Sequence, residues 1–500
     1  MRSIDRWAIE EQGVPSLELM ERAGTGVARA VERMAADGLV VVVCGKGNNG
    51  GDGLVAARLL GDAGRDVRVV CLYPPAEFTG DAHENLERLG DHAIAGLADA
   101  GLDQAAVIVD ALLGTGFQGS PRAEVADAIG AINAASAPVL SVDVPSGVEA
   151  STGVVAVAVQ AAATVTFHAA KPGLWIEPGK AHAGAVETLD IGIPRGEPSE
   201  SPSRSAPIGL IAPSVLELLP RRGASSTKFS SGHVLVAGGS RGLSGAPRMA
   251  AQASMRAGAG YVTACVPASI QEILASGGPP ELMTRGLEEE DGAFSVEAVP
   301  GVLRLSERGG ALALGPGLGR SDGALAFARV LAREANVAMV LDADGLNAHV
   351  GHLRDLTERP AATVLTPHAG ELGRMLELDR TEIDRERLLH VRSAAARTRA
   401  VVVLKGDDTL IADPSGVVAV SPGNSPALAT AGTGDVLSGV VAALLAQGLC
   451  PFEAAAAAVT LHAAAGREAA RRQGAAEGVV ASDVIDALAA VRAPSLRDQR

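Results

Sequence analysis

Asp435 closes the stretch Ala431-Gly432-Thr433-Gly434-Asp435, directly ahead of a helix-like run from Val436 to Gln447. Small residues just before a helix let backbone N–H groups point at an anion, and the helix dipole adds to that preference. A carboxylate beside a bound phosphate is repelled by it, so an acid in this turn needs a separate purpose. One purpose is to face a hydroxyl that must lose its proton as a phosphoryl group arrives. The other is to cap the helix N-terminus. Taken alone, the five residues fit both.

Five further groups of chemistry-bearing residues follow strand-like runs in the same half. Val234 to Ala237 leads into Gly238-Gly239-Ser240-Arg241-Gly242, with a small-residue helix opening at Gly245-Ala246. Ala311 to Leu314 leads into Gly315-Pro316-Gly317-Leu318-Gly319, and Val337 to Leu341 into Asp342-Ala343-Asp344. Thr363 to Leu365 precedes Thr366-Pro367-His368-Ala369-Gly370-Glu371, and Val401 to Leu404 precedes Lys405-Gly406-Asp407-Asp408-Thr409. Each has a bland alternative. His368 fits a helix cap or a core histidine, and Lys405 fits a solvated turn. Asp342 and Asp344 fit caps of a following helix, or ligands that hold magnesium through water. Their joint occurrence at strand ends favours a phosphoryl-transfer crevice over helix capping at Asp435.

The first half repeats the habit of strand followed by glycine-rich turn. Leu39 to Cys44 runs into Gly45-Lys46-Gly47-Asn48-Asn49-Gly50-Gly51-Asp52-Gly53, with a helix expected from Leu54 to Leu60. Ala106 to Val109 runs into Asp110-Ala111-Leu112-Leu113-Gly114-Thr115-Gly116, and Pro138 to Val142 into Asp143-Val144-Pro145-Ser146-Gly147. Ala163 to Phe167 leads through His168 to Lys171-Pro172-Gly173, where Lys171 fits a phosphate partner less well than a solvated lysine. In a parallel α/β sheet the carboxyl ends of the strands form the ligand crevice, so these ends converge on one site. The asparagine amides can coordinate a cation or bond to ribose and amide groups. Upstream, Trp7 to Met34 has helical spacing with a break near Gly13–Pro15.

The whole chain agrees with that organisation. Its 500 residues exceed one ordinary core, and it is 47% hydrophobic with 60 Gly and only 2% aromatic residues, a profile of α/β domains with buried parallel strands. A net charge of -15 argues against a nucleic-acid surface. Cys44, Cys71, Cys265 and Cys450 are scattered, which suits reduced, mostly buried thiols of a cytoplasmic protein. The charged, amphipathic N-terminus is no signal peptide, and no apolar run is long enough to span a bilayer. Arg195 to Pro207 is rich in Pro and Ser and reads as a hinge. The expected division is residues 1–200, a linker and lead-in over 201–225, and residues 226–500.

Residues Ile4 to Pro194 resemble the N-terminal epimerase domain of the bifunctional NAD(P)H-hydrate repair enzymes, the YjeF family. The resemblance rests on Leu19-Met20-Glu21-Arg22-Ala23-Gly24, the Asn48–Gly53 loop, Asp110–Gly116, Asp143–Gly147 and Lys171–Gly173, in that order. It implies a Rossmann-like three-layer αβα domain. Substrate contacts would fall on Asn48, Asn49, Gly50, Gly51 and Asp52, on Gly114, Thr115, Gly116, Phe117, Gln118, Gly119 and Ser120, and on Asp143. Potassium ligands would be Asn49, Asp110 and Ser146. One departure is that Cys71–Phe78 has no lysine where some members carry one.

Phe229 to Leu488 is similar to the ADP-dependent NAD(P)H-hydrate dehydratase domain, which implies a ribokinase-like αβα fold. By that similarity the nucleotide meets Lys405, Gly406, Asp407, Asp408, Thr409 and Gly434, and the hydrated nicotinamide nucleotide meets Ala246, Gly317, His368 and Asp435. Ser226-Thr227-Lys228-Phe229 departs from a His-Lys pair common at that point. The resemblance implies that the first domain interconverts the R and S hydrates of NADH and NADPH. The second would dehydrate the S form with ADP and magnesium, Asp435 serving as general base. It also implies a homo-oligomer acting on small molecules, with no membrane or nucleic-acid partner.

Overall fold

A computed structural model describes residues 2–90, 95–194 and 207–492. The chain divides into two compact units, residues 1–205 and 206–500. All of the expected hinge except Pro207 lies outside the described residues.

The first unit is built on six parallel strands: β1 (Val40–Cys44), β2 (Val67–Cys71), β3 (Val107–Ala111), β4 (Val139–Val142), β5 (Ala163–Phe167) and β6 (Ala185–Leu189). Their spatial order is β2-β1-β3-β4-β5-β6. β1 is an unbroken apolar run because both of its faces are covered. Val40, Val42 and Cys44 pack towards helices Ser16–Met34 and Asn48–Asp62, while Val41 and Val43 pack towards helix Ala123–Ala134. The result is three layers. From β1 the chain turns to β2 on one side and then crosses to β3 on the other, so the strand order reverses between β1 and β3. A ligand crevice is expected at that reversal.

One local expectation is corrected. Asn48 to Gly53 is not a turn ahead of a helix at Leu54; the helix already begins at Asn48. Glycine permits this, because a Cβ on Gly50 would stand 1.8 Å from the Gly45 carbonyl oxygen and one on Gly53 would stand 2.6 Å from Ala111 Cβ. The helix start is therefore pressed against the ends of β1 and β3.

The second unit holds a ten-stranded sheet. In chain order its strands are β7 (Ile208–Leu210), β8 (His233–Ala237), β9 (Tyr261–Pro267) and β10 (Met283–Leu287), then, after the short pair β11 (Glu289–Glu290) and β12 (Ala293–Phe294), β13 (Ala311–Leu314), β14 (Ala338–Leu341), β15 (Thr363–Leu365), β16 (Val401–Leu404), β17 (Leu410–Ala412) and β18 (Val418–Val420). The spatial order is β10-β9-β8-β13-β14-β15-β16-β17-β18-β7, parallel except where β17 meets β16 and β18. Ile208 to Leu210, in the expected lead-in segment, is thus an edge strand of this sheet. The strand order reverses between β8 and β13, and helix Thr433–Ala446 packs over β8, β13 and β14 at that point. Residues Val436 to Leu445 of this helix are all buried, as their nearly unbroken apolar sequence requires. Gly439 lets it approach helix Gly245–Arg256: a Cβ there would lie 2.1 Å from the Ala250 carbonyl oxygen, and Ser254 Oγ donates across the contact to Gly439 O at 2.9 Å. Helices Pro451–Gln473 and Ala481–Val491 complete that layer.

All four cysteines are free: Cys44 and Cys265 are buried, Cys71 is partly buried and Cys450 is exposed. Among the described residues no helix is long and apolar enough to cross a membrane.

Candidate active sites

In the first unit a cavity of about 770 Å³ opens at the β1/β3 reversal. Asn48, Asn49, Asp52, the run Gly114 to Gln118, Ser120 and Asp143 line it. Gly50, Gly51 and Gly119 are not among its walls. Gly50 and Gly51 act from behind, since side chains there would strike Gly45 and Met20. Lys171 does line the cavity, and it is not a solvated lysine. It is 3% exposed, its Nζ lies 2.7 Å from Asp143 Oδ1, and it donates to Thr166 Oγ1 (2.7 Å) and Phe167 O (2.8 Å). Asp143 takes φ 65°, an unusual conformation for a non-glycine residue, and also accepts from Thr115 N and Thr166 Oγ1. Such strain is characteristic of positions where the surrounding structure imposes geometry on a reacting group.

Asp110, Ser146 and Asn49 meet beside this cavity. Asp110 is fully buried, and burial pushes its carboxyl pKa up, against hydrogen bonds that pull it down. Those bonds come from Ser146 Oγ and N, Ser141 Oγ and Leu112 N. Among the described residues no cationic side chain pairs with Asp110. Asn49 donates from Nδ2 to Leu113 O at 2.9 Å, while its Oδ1 is buried with no hydrogen-bond partner. A buried carboxylate without a counter-cation, next to an unsatisfied carbonyl oxygen, is the environment a hard cation would relieve.

In the second unit, Gly432 caps helix Thr433–Ala446 at φ 92° with no side-chain capping bond, which places Asp435 inside the first turn. The helix-cap alternative for Asp435 therefore fails, and the amides at this end remain directed forwards. Around Asp435 stand Asp342, Glu371 and Lys405. Lys405 Nζ is 3.0 Å from Asp342 Oδ1 and 3.7 Å from Glu371 Oε2, and Ser438 Oγ donates to Asp342 Oδ2 at 2.6 Å. Burial pushes the Asp435 pKa up to about 7, with the Asp342 charge adding and the Lys405 charge opposing. A carboxylate tuned to this range suits proton transfer near neutrality.

His368 is a helix cap and a site residue at once. Its Nδ1 accepts from Gly370 N and Glu371 N, and Glu371 Oε2 accepts from His368 N. That box also brings Nε2 to 3.6 Å from Glu371 Oε1, and it sets Glu371 beside Lys405, whose backbone bridges to His368. A ring nitrogen that accepts two amide hydrogens carries no proton, and burial lowers the His368 pKa in the same sense. Ala246 and Gly317 adjoin each other, a Cβ on Gly317 falling 3.1 Å from that of Ala246. Asp344 spans the glycine turn instead, accepting from Gly319 N at 3.1 Å and Arg320 Nε at 2.8 Å.

A neighbouring cavity of about 380 Å³ is lined by Lys405, Gly406, Asp407, Thr409, Thr433 and Gly434, with Leu428, Leu437 and Val459 as its apolar wall. Asp408 is not in it. That carboxylate is buried against Arg387, whose Nε donates at 2.8 Å, and it braces the Lys405–Thr409 turn from behind.

Residues 234–490 match the family described as NAD(P)H-hydrate dehydratase, and residues 16–173 the family described as YjeF-related protein N-terminus. The bifunctional NAD(P)H-hydrate repair enzyme Nnr of Moorella thermoacetica is 42% identical, the match covering 98% of this chain and 94% of that protein. The chain belongs to the family of bifunctional NAD(P)H-hydrate repair enzymes. The Nnr of Salinibacter ruber is 40% identical, covering 100% of this chain and 96% of its own. Among solved structures, the ADP/ATP-dependent NAD(P)H-hydrate dehydratase from Bacillus subtilis, co-crystallised with ATP and Mg2+, is 29% identical over 55% of this chain and 94% of its own, with a TM-score of 0.47.

The two departures from the repair-enzyme pattern have structural answers. Lys46, from the glycine-rich loop, reaches across the lysine-free Cys71–Phe78 stretch, with Nζ 2.6 Å from Glu77 Oε2 and 4.6 Å from the Tyr73 ring centre. Ser226 to Phe229 precede β8 at its amino end, whereas Gly238–Gly242 and Ala246 follow its carboxyl end. Sequence reasoning missed Asn424 and His462, which line the smaller cavity of about 380 Å³. Asn424 Nδ2 donates to Thr409 Oγ1 at 3.1 Å, and burial brings the His462 pKa down to about 4. Neither carries a motif: one sits in a loop, the other is a lone histidine in an alanine-rich helix.

Proposed function

We propose that this chain repairs hydrated NADH and NADPH. Its first unit interconverts the R and S hydrates, and its second dehydrates the S form using ADP, giving NAD(P)H, AMP and phosphate. The observation that carries the reading is Asp435: a carboxyl whose pKa burial pushes up to about 7, in the first turn of a helix with no side-chain cap, beside a lysine and a nucleotide-sized cavity. The hydroxyl on C6 of the hydrated ring is a poor leaving group. Asp435 takes its proton as the phosphoryl group is transferred, and the ring nitrogen lone pair then expels phosphate. The Gly432–Gly434 amides at the helix start stabilise charge on the moving phosphoryl group. Lys405, held by Asp342 and Glu371, presents an ammonium to the same group. His368, neutral and fixed by its capping box, orients the nicotinamide part together with Ala246 and Gly317.

Among the described residues no three carboxylate, histidine or cysteine side chains converge as a metal site. Magnesium therefore fits as an ion brought by the nucleotide phosphates, with Asp342 and Asp435 as the nearest carboxylates; when bound it neutralises phosphate charge. In the first unit Asn49 Oδ1, Asp110 and Ser146 fit potassium, which supplies the positive charge that Asp110 lacks. Asp143, clamped by Lys171, faces the hydrated ring, while Asn48 and the 114–118 turn hold the nucleotide.

Separated R and S hydrates, each incubated with ADP or ATP and with or without potassium, test the proposal. Recovery of near-ultraviolet NADH absorbance from the S form should require nucleotide. The R form should recover at a rate that depends on potassium and exceeds spontaneous epimerisation. A stable phosphorylated product with no recovered absorbance would instead make the second unit a small-molecule kinase.

A further inference from the structure

The second unit has a cavity that neither reaction uses. It occupies about 440 Å³ and is lined by Arg221, Arg222, Arg256 and Arg492 together with Ser226 and Gln447. It lies where helices Gly245–Arg256, Thr433–Ala446 and Ala481–Val491 end, the reverse end from Ala246 and Asp435. Helix Thr433–Ala446, at about 1.5 Å per residue, puts it roughly 20 Å from the dehydratase site. We propose that this cavity is a binding site for a small phosphorylated anion.

Four guanidiniums share one small space in a chain whose net charge is -15. Like charges gathered in this way repel, and the arrangement persists only where something offsets the repulsion. Backbone carbonyls offset part of it. Arg492 donates from Nη2 to Pro220 O (2.7 Å) and Gln447 Oε1 (2.9 Å) and from Nη1 to Ala257 O. Arg222 donates to Gly258 O and Ala259 O, both at 3.1 Å. These bonds fix two guanidiniums in place but neutralise neither, and burial together with the Arg222 charge lowers the Arg492 pKa. The nearest carboxylate, Asp486, is 3.8 Å from Arg256, with both side chains more than half exposed, so it is a weak counter-charge. Among the described residues Arg221 has no ion-pair partner. Two guanidinium forks fixed by carbonyls, one weakly paired and one without an ion-pair partner among the described residues, with a serine hydroxyl at the rim, match the many acceptor oxygens of a phosphate or diphosphate.

Calorimetric titration of the full chain with inorganic pyrophosphate at low ionic strength tests this. Wild type should show a class of binding that weakens as salt is added. Arg221→Gln/Arg256→Gln should weaken that class about tenfold or more, while ADP-dependent dehydration continues. The exposed Arg221→Gln alone should weaken it measurably and serves if the double variant does not fold. Unchanged pyrophosphate affinity in either variant, or no binding by wild type, would overturn the proposal and leave these arginines as caps for helix ends.

Discussion

Replacing Asp435 by Asn should slow dehydration and yet stabilise the fold, and the opposite signs make the test discriminating. Burial moves this carboxyl from its ordinary 3.8 to about 7, with the Asp342 and Glu371 charges adding and Lys405 opposing. In the fold the ionised form is thus disfavoured by ~4 kcal/mol. The folded pKa lies above the unfolded one, so Asp435 contributes stability below about pH 4 that is lost as pH rises to 7 and beyond. At pH 8 the wild type carries the whole cost, while the uncharged Asn carries none. Melting of Asp435→Asn should therefore exceed wild type at pH 8 by up to a few kcal/mol, and the difference should shrink as pH falls towards 5. Activity moves the other way. Wild-type kcat/KM should fall about tenfold per pH unit below 7 and level off above it, since only the ionised base works. Asp435→Asn should lose this limb and fall by about 10²–10⁴ at pH 8, with nucleotide binding largely kept. A variant that turns over within tenfold of wild type would refute the base role. One that is slow but no more stable at pH 8 would refute the burial argument.

Other consequences are quicker to state. Lys171→Met leaves the Asp143 carboxylate buried without its cation, which should cost about 3–5 kcal/mol and abolish epimerisation; calorimetry and the R-hydrate assay read the two effects, and dehydration of the S form should persist. Arg387→Met removes the guanidinium that donates to the buried Asp408 and should destabilise the second unit by about 3–5 kcal/mol, while KM for ADP in the folded fraction changes little. A large rise in that KM would show that Asp408 touches nucleotide after all. Gly50→Ala places a Cβ 1.8 Å from the Gly45 carbonyl oxygen, so the helix start must shift; potassium stimulation of epimerisation should be lost even though residue 50 lines no cavity.

Much of this was legible because strand ends advertise themselves. A buried parallel strand is an apolar run, and a run that stops at glycine, Asp or Asn marks the carboxyl edge where ligands bind. Asp110, Asp143, Asp342 and Lys405 all follow that rule, whereas Asp435 is picked out by its glycine-rich entry to a helix. What it does not report is direction. Lys171 and Asp408 both follow a strand in a turn; local sequence favours a solvated lysine at the first, and the family resemblance implies a nucleotide contact at the second. The fold reverses both, because the cation meets Asp143 at 2.7 Å and the acid meets Arg387 at 2.8 Å. Partners far apart in sequence decide whether a turn residue faces ligand or core, and no local spacing encodes that. The same limit applies to Asn424 and His462, which line the cavity beside Lys405 from a loop and a helix with no motif of their own.

Asp435 shows how the fold separates two readings that the local sequence leaves open. A capping acid is an exposed residue whose pKa falls as it accepts amide hydrogens. This one is half-buried in a first turn capped by Gly432, and its pKa rises. Capping and base catalysis demand opposite shifts from the same residue, so the sign alone separates them. Burial sets that sign, and Asp342, which Ser438 and Lys405 hold at 2.6 and 3.0 Å, reinforces it. Replacing Asp342 by Asn should therefore lower the Asp435 pKa and move the acid limb of dehydration to lower pH. Replacing Lys405 by Met should move it higher. If the limb moved the same way in both variants, Asp435 would not be the group that titrates.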